Sequence, residues 1–406
     1  MKSIVTNIGM LATPQGTGPK SGRSQGSIQI LKDAWILMED GLVSQVGTGA
    51  PPQADKIIDA QGNLVTPGLV DAHTHLIFGG WRQHELALKL HSKTYLEIQN
   101  AGGGIQSTTN ATRQATEEEL TQKAAGALDE MMGFGVTTCE AKSGYGLATE
   151  HELKALRVIQ NLNSRHPMDL VATFMGAHLV PAEYKADREA YLRLVCEEMI
   201  PLVAEQGIAK YCDVFCEADT FTAEESRRVL EAGKQYGLTP KIHADEIEAI
   251  GGSQLAGEVG AISAEHLIVC PPEGIESLAR GGVVACLLPA TSFYLGSVFA
   301  PARDMVSAGV PVAMATDFNP GSCPCLNLQF VINLGCLKYK LTPEEVLTAV
   351  TLNAASAIGM ADKVGSLEPG KQGDLVIWDA PDLDYICYRM GSNLAKTVIK
   401  KGVVVH

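Results

Sequence analysis

Hydrophobic and polar positions alternate along the first 63 residues and again near the end of the chain. Segments such as Ser27-Ile28-Gln29-Ile30-Leu31 and Ala34-Trp35-Ile36-Leu37-Met38 are short, and turn signals such as Glu39-Asp40-Gly41 separate them. A period of two predicts strands with one face buried. Residues 373–379 and 395–400 read the same way. Neither end has enough strands to hide its apolar face alone, so the two are expected to pair into one small β-sandwich. The stretch 13–26 is rich in Gly, Ser and Pro and is expected to be a mobile loop.

The middle of the chain has a different pattern. Apolar runs at 64–75, 135–142, 170–178, 211–217, 240–246, 261–266, 283–288 and 312–317 alternate with helical stretches. Several helices carry start signals. Thr116-Glu117-Glu118-Glu119 and Thr222-Ala223-Glu224-Glu225 fit a capping box, and Thr342-Pro343 places Pro at the first helical position. Eight strand–helix units in about 300 residues predict a (β/α)8 barrel. A doubly wound open sheet is the alternative, but no Gly-x-Gly-x-x-Gly follows a strand, and Gly102-Gly103-Gly104 reads as a loop. The expected division is therefore 1–63 with 363–406 as a discontinuous β-sandwich, and 64–362 as the barrel.

In such a barrel the C-terminal strand ends build the active site. Those ends carry His73 and His75, Lys142, His178, Glu217, His243 with Glu246, His266, and Asp317. In an extended strand His73 and His75 point to one face, so the two imidazoles converge. Five of the ten histidines fall at predicted strand ends, which points to a metal or catalytic site. A plausible ligand set is His73, His75, His243 and Asp317. Three imidazoles and a carboxylate suit zinc, with iron, manganese or cobalt as alternatives. Such an ion brings the pKa of a bound water to about 7. Glu246, three residues past His243, can reach that water, and His266 can steady a developing oxyanion.

Composition narrows the setting. The chain has 406 residues, 46% hydrophobic and 19% charged, and a net charge of −14. The acidic balance and the absence of a basic patch argue against nucleic acid or an anionic membrane as partner. The N-terminus has no signal-peptide pattern, and no apolar stretch approaches the ~20 residues that span a bilayer. The ten cysteines sit mostly in apolar runs, as expected of reduced thiols in a cytoplasmic protein. Cys212 with Cys216, and Cys323 with Cys325, each lack the second half of a zinc site.

The stretch 63–75, the later His243 and His266, Ala315-Thr316-Asp317 and the tail 365–376 together resemble the amidohydrolase superfamily over essentially the whole chain. Within it, stretches 74–82, 140–147, 174–178, 243–246 and 316–322 are similar to the imidazolonepropionases of histidine breakdown. The resemblance implies hydrolytic opening of 4-imidazolone-5-propanoate to N-formimidoyl-L-glutamate. It implies one metal ion, Zn2+ or Fe3+, on His73, His75, His243 and Asp317, with Glu246, His266 and Asp317 taking part in catalysis. Arg82, Tyr145, His178 and Glu246 would contact substrate, with Asn319, Gly321 and Ser322 near the ring and the new carboxylate. A homodimer acting on a small molecule is expected. Two-metal members of the superfamily carry a lysine at the end of the fourth strand; here that strand ends in Cys216-Glu217, so a single ion is expected. Lys142 is expected to contact the pocket or a loop. Arg82 offers a bidentate fork for a propionate. An aminohydrolase of a purine, pyrimidine or related ring amine would keep the same ligands, and a non-enzymatic scaffold would need none of them.

Overall fold

The structure is a computed structural model that describes residues 2–91 and 103–406. The two chain ends form one eight-stranded mixed sheet. It contains β1 (Lys2–Thr13), β2 (Gln29–Glu39), β3 (Leu42–Thr48), β4 (Lys56–Asp59) and β5 (Leu64–Pro67). The C-terminal end adds β14 (Leu375–Trp378), β15 (Ala395–Lys400) and β16 (Val403–Val404). Its order is β16-β15-β14-β5-β1-β2-β3, with β4 beside β1. Val5, Ile8, Leu11, Ile36, Val65, Ile377 and Ile399 meet in one apolar cluster, the core of this unit. The alternation predicted at both ends of the chain has this cause.

The second sheet is the barrel. Its strands are β6 (Leu69–Asp71), β7 (Val136–Lys142), β8 (Asp169–Ala177), β9 (Tyr211–Cys216), β10 (Thr239–Ala244), β11 (Ser263–His266), β12 (Val284–Leu287) and β13 (Val312–Met314). Each pairs in parallel with the next. They are buried almost throughout, as strands covered on both sides must be. The ring closes just past the strand ends, where Thr74 bridges Phe318 in parallel. There the His75 N–H donates to the Phe318 carbonyl at 2.9 Å and the Asp317 N–H to the His73 carbonyl at 3.1 Å. Closure thus places the His-x-His and the aspartate side by side.

The capping boxes at Thr116, Thr222 and Thr342 all form. Three local expectations differ from what the chain does. The first apolar run is two strands, not one: Gly68 separates Leu64–Pro67, which joins the terminal sheet, from Leu69–Asp71, which opens the barrel. A side chain at Gly68 would collide with Thr137, so the crossing needs glycine. The stretch 13–26 is tied down. Fully buried Gln25 exchanges two hydrogen bonds with Val312, each of 3.0 Å, and the Lys20 N–H donates to Asn353. Gly103 and Gly104 begin a helix, Gly104–Gln114, while Gly102 lies outside the described residues.

Candidate metal and active site

His73 is fully buried, and its Nδ1 lies 2.9 Å from Glu265 Oε2. A carboxylate only accepts, so Nδ1 carries the hydrogen and Nε2 presents a lone pair. Nε2 bonds to nothing among the described residues. His243 is held the same way, its Nδ1 3.1 Å from Asp213 Oδ1. Its Nε2 sits 3.2 Å from His75 Nε2. Asp317 Oδ1 lies 3.4 Å from His73 Nε2 and 3.6 Å from His75 Nε2. The Thr291 hydroxyl donates to Asp317 Oδ2 at 2.7 Å, which leaves Oδ1 turned to the imidazoles. Ligand atoms of His73, His75 and Asp317 all lie within 4.8 Å of one another, as do those of His73, His243 and His266. Lone pairs crowded this closely, with orphaned ring nitrogens among them, fit a divalent cation.

Burial pushes the imidazoles of His73, His75 and His266 well below the usual range, which keeps them neutral and able to ligate. Burial, and then the positive potential of His243, brings His178 down to about 3. Asp317 is pushed up to about 6 by burial. Glu246 rises to about 8, through burial and then the charges of Asp317 and Glu217. Its carboxylate lies 3.6 Å from His266 Nε2. The backbone at Asp245, His266 and Asp317 is left-handed, with φ of 52°, 69° and 56°. Three non-glycine residues in that region, all at strand ends on this rim, are local strain gathered at the site.

The site opens into a cavity of about 390 Å³. Every expected site residue lines it except His73, which is sealed behind. Arg82 is the one cationic side chain among the described lining residues. Glu85, fully buried, grips it twice: Nε to Oε1 at 2.8 Å and Nη2 to Oε2 at 3.1 Å. A Cβ on Gly321 would collide with Arg82 Nη1, so glycine lets the guanidinium lie on that loop. His178 stacks on His75, ring centroids 4.9 Å apart, and its Nδ1–H donates to the Gly144 carbonyl. Tyr145 packs against both rings.

Buried acceptors hold the loops in place. Glu152 takes the N–H groups of Gly144, Gly146 and Leu147, around Tyr145. Glu217 takes those of Ile247 and Glu248, just past Glu246. The Asn319 carbonyl oxygen takes those of Gly321 and Ser322, and its amide donates to the Asp317 carbonyl and the Ser322 hydroxyl.

Sequence reasoning passed over Glu85, Glu152, Asp213 and Glu265. The last two carry a usable signal, an acid inside a buried strand, three residues before the end of β9 for Asp213 and one before the end of β11 for Glu265. Lys142 does not reach the pocket. It is fully buried inside the barrel, 2.7 Å from Glu140 and 2.8 Å from Asp213. It shares the inward face of β7 with Glu140, two residues before it.

Comparison with known proteins agrees with this geometry. The amidohydrolase family pattern matches residues 64–405. An imidazolonepropionase of Alkaliphilus metalliredigens is 51% identical over 99% of this chain and 97% of its own. One from Geobacillus kaustophilus is 50% identical over 100% and 96%. The chain belongs to the imidazolonepropionase branch of the amidohydrolase family. Solved structures share the fold at lower identity. Atrazine chlorohydrolase from Arthrobacter aurescens, crystallised with zinc, superposes with a TM-score of 0.76 at 17% identity, over 99% of this chain and 94% of that one. Guanine deaminase from C. acetobutylicum gives 0.70 at 18%, over 100% of each. All ten cysteines are free thiols. No helix among the described residues is long and apolar enough to cross a membrane.

Proposed function

We propose that this chain hydrolyses 4-imidazolone-5-propanoate to N-formimidoyl-L-glutamate, using one ion, zinc or ferric, held by His73, His75, His243 and Asp317. The observation that carries the reading is the convergence of bare imidazole nitrogens and Asp317 beside a partly buried Glu246, in a cavity whose one described cation is Arg82. When bound, such an ion acidifies a water and polarises a carbonyl. Arg82, already aligned by Glu85, binds the propionate. Tyr145 and His178 line the pocket around the ring, with Asn319, Gly321 and Ser322 near the ring and the new carboxylate. Glu246 takes a proton from the attacking water as its oxygen bonds to the ring carbonyl carbon. His266 donates to the oxyanion. Glu246 then delivers that proton to the departing ring nitrogen as the C–N bond breaks, with Asp317 able to share the transfer. A carboxyl raised to about 8 suits a group that must both accept and return a proton near neutrality.

The test is ring opening followed by ultraviolet absorbance, on protein stripped of metal and reloaded with zinc or with iron. Loaded, folded protein that leaves the imidazolone untouched overturns the reading. An aminohydrolase of ring amines has no use for Arg82, and ammonia release from such amines is the contrary outcome. We further infer a homodimer in the cytoplasm, on the strength of the resemblance, with light scattering as the check on assembly. We also read residues 1–63 with 363–406 as one folding unit and 64–362 as the other, β5 pairing into the terminal sheet at their boundary.

A further inference from the structure

The interior of a (β/α)8 barrel is ordinarily filled by branched aliphatic side chains. Beneath the histidines, this one holds Glu140, Lys142, Asp213, Lys241 and Glu265, each of them fully buried. Lys142 Nζ bridges Glu140 Oε1 and Asp213 Oδ2, and the other oxygen of Asp213 accepts from His243 Nδ1. Lys241 Nζ lies 3.0 Å from Glu265 Oε1 and donates to Ser263 and to the Ala357 carbonyl, and the other oxygen of Glu265 accepts from His73 Nδ1. Two separate chains therefore run lysine, carboxylate, imidazole. Each ends on a different histidine, and each leaves that histidine's Nε2 facing the site. Glu140 adds a third tie, its Oε2 accepting the Thr74 N–H between His73 and His75.

Buried ion pairs are poor stabilisers, because desolvation offsets their attraction. Five charged groups in the barrel core need a reason other than stability. We propose that Lys142 and Lys241 are positioning residues for the metal: each anchors the carboxylate that fixes the tautomer and aim of one histidine, Lys142 through Asp213 for His243, and Lys241 through Glu265 for His73. The inference rests on the proposed ligation by His73 and His243. It goes further in assigning a separate lysine to each. A ligand imidazole whose outer nitrogen loses its acceptor can turn, or carry its proton on the wrong nitrogen, and then it no longer offers a lone pair to the ion.

The experiment uses the full chain, stripped of metal and titrated with zinc against a chromophoric chelator. The tautomers of 15N-labelled histidines are followed by NMR. Lys142→Met leaves two buried carboxylates without their cation and can fail to fold. The charge-balanced variant Lys142→Met/Glu140→Gln avoids this and keeps Asp213; for the other chain Lys241→Met keeps Glu265, still held by Ser263 and His73, and Glu265→Gln is the control that changes the carboxylate itself. The Lys142→Met/Glu140→Gln and Lys241→Met variants should each stay folded and bind zinc roughly 10- to 100-fold more weakly. The first should disturb the nitrogen signals of His243 and leave those of His73; the second should do the reverse. Zinc affinity within twofold of the parent in both, or equal disturbance of both histidines in each, overturns the assignment. If the parent itself holds neither zinc nor iron, the proposed ligand set falls with it, an outcome distinct from a parent that binds while the variants bind as well.

Discussion

The apolar core of the terminal sheet and the barrel interior are both fully buried, but they are built from opposite materials. In the first, Val5, Leu11, Ile36 and Ile399 pack in a cluster of apolar side chains. In the second, Lys142 and Lys241 meet carboxylates, and the carboxylates meet imidazoles. The sheet's side chains are replaceable by anything of similar volume and polarity. The barrel's are bound to one another by direction as well as by size. The lesson is that burial alone does not say what a residue is for. The chemistry of its neighbours does.

The largest expected effect lies at the barrel mouth. His243→Ala should lose bound metal and activity together, the latter by on the order of 10³-fold or more, read as metal content beside kcat/KM. Full metal occupancy in that variant would remove His243 from the ligand set. Glu246→Gln separates proton transfer from ligation. It should keep its metal and lose roughly 10²- to 10⁴-fold in kcat.

In the terminal sheet the same scale of perturbation should register only as stability. Leu11, fully buried, should cost about 2–5 kcal/mol on Leu11→Ala, measured by denaturant unfolding, with kcat and KM unchanged. A fall in kcat of the folded variant would show that the two regions are coupled. Arg82→Ala falls between these extremes. It should raise KM by roughly 10- to 100-fold, the worth of a hydrogen bond to a charged group, and change kcat little. An unchanged KM would detach Arg82 from the substrate carboxylate.

How much of this was legible in the sequence follows the same divide. Alternation is a local signal, so both chain ends were read correctly as β. His73 and His75 were readable because a period of two places them on one face, and Asp317 because it closes an apolar run. Pairing across the ring is not local. Nothing in the sequence joins His73 to Glu265, or His243 to Asp213, 192 and 30 residues away. Lys142 was misplaced because its position at a strand end says nothing of which way its side chain turns. Gly68 hid the change from one sheet to the other, because the apolar run continues straight through it.

The smallest expected effect tests the charged interior where it should be nearly silent. Despite burial, Lys241 and then Lys142 hold the Glu265 carboxyl down to about 2, against an ordinary 4.5. A carboxyl whose pKa is lower folded than unfolded adds stability above the unfolded value, and that contribution is lost as pH falls from about 4.5 toward 2. Metal-free Lys241→Met/Glu265→Gln should therefore match the parent closely at pH 7, where exchanging a buried pair for neutral groups is near break-even. It should unfold with a shallower pH dependence on the acid side, followed by thermal melting at stepped pH. An identical acid limb in the two proteins would mean that the pair contributes no differential proton binding, and that the barrel core behaves after all like the apolar core of the sheet.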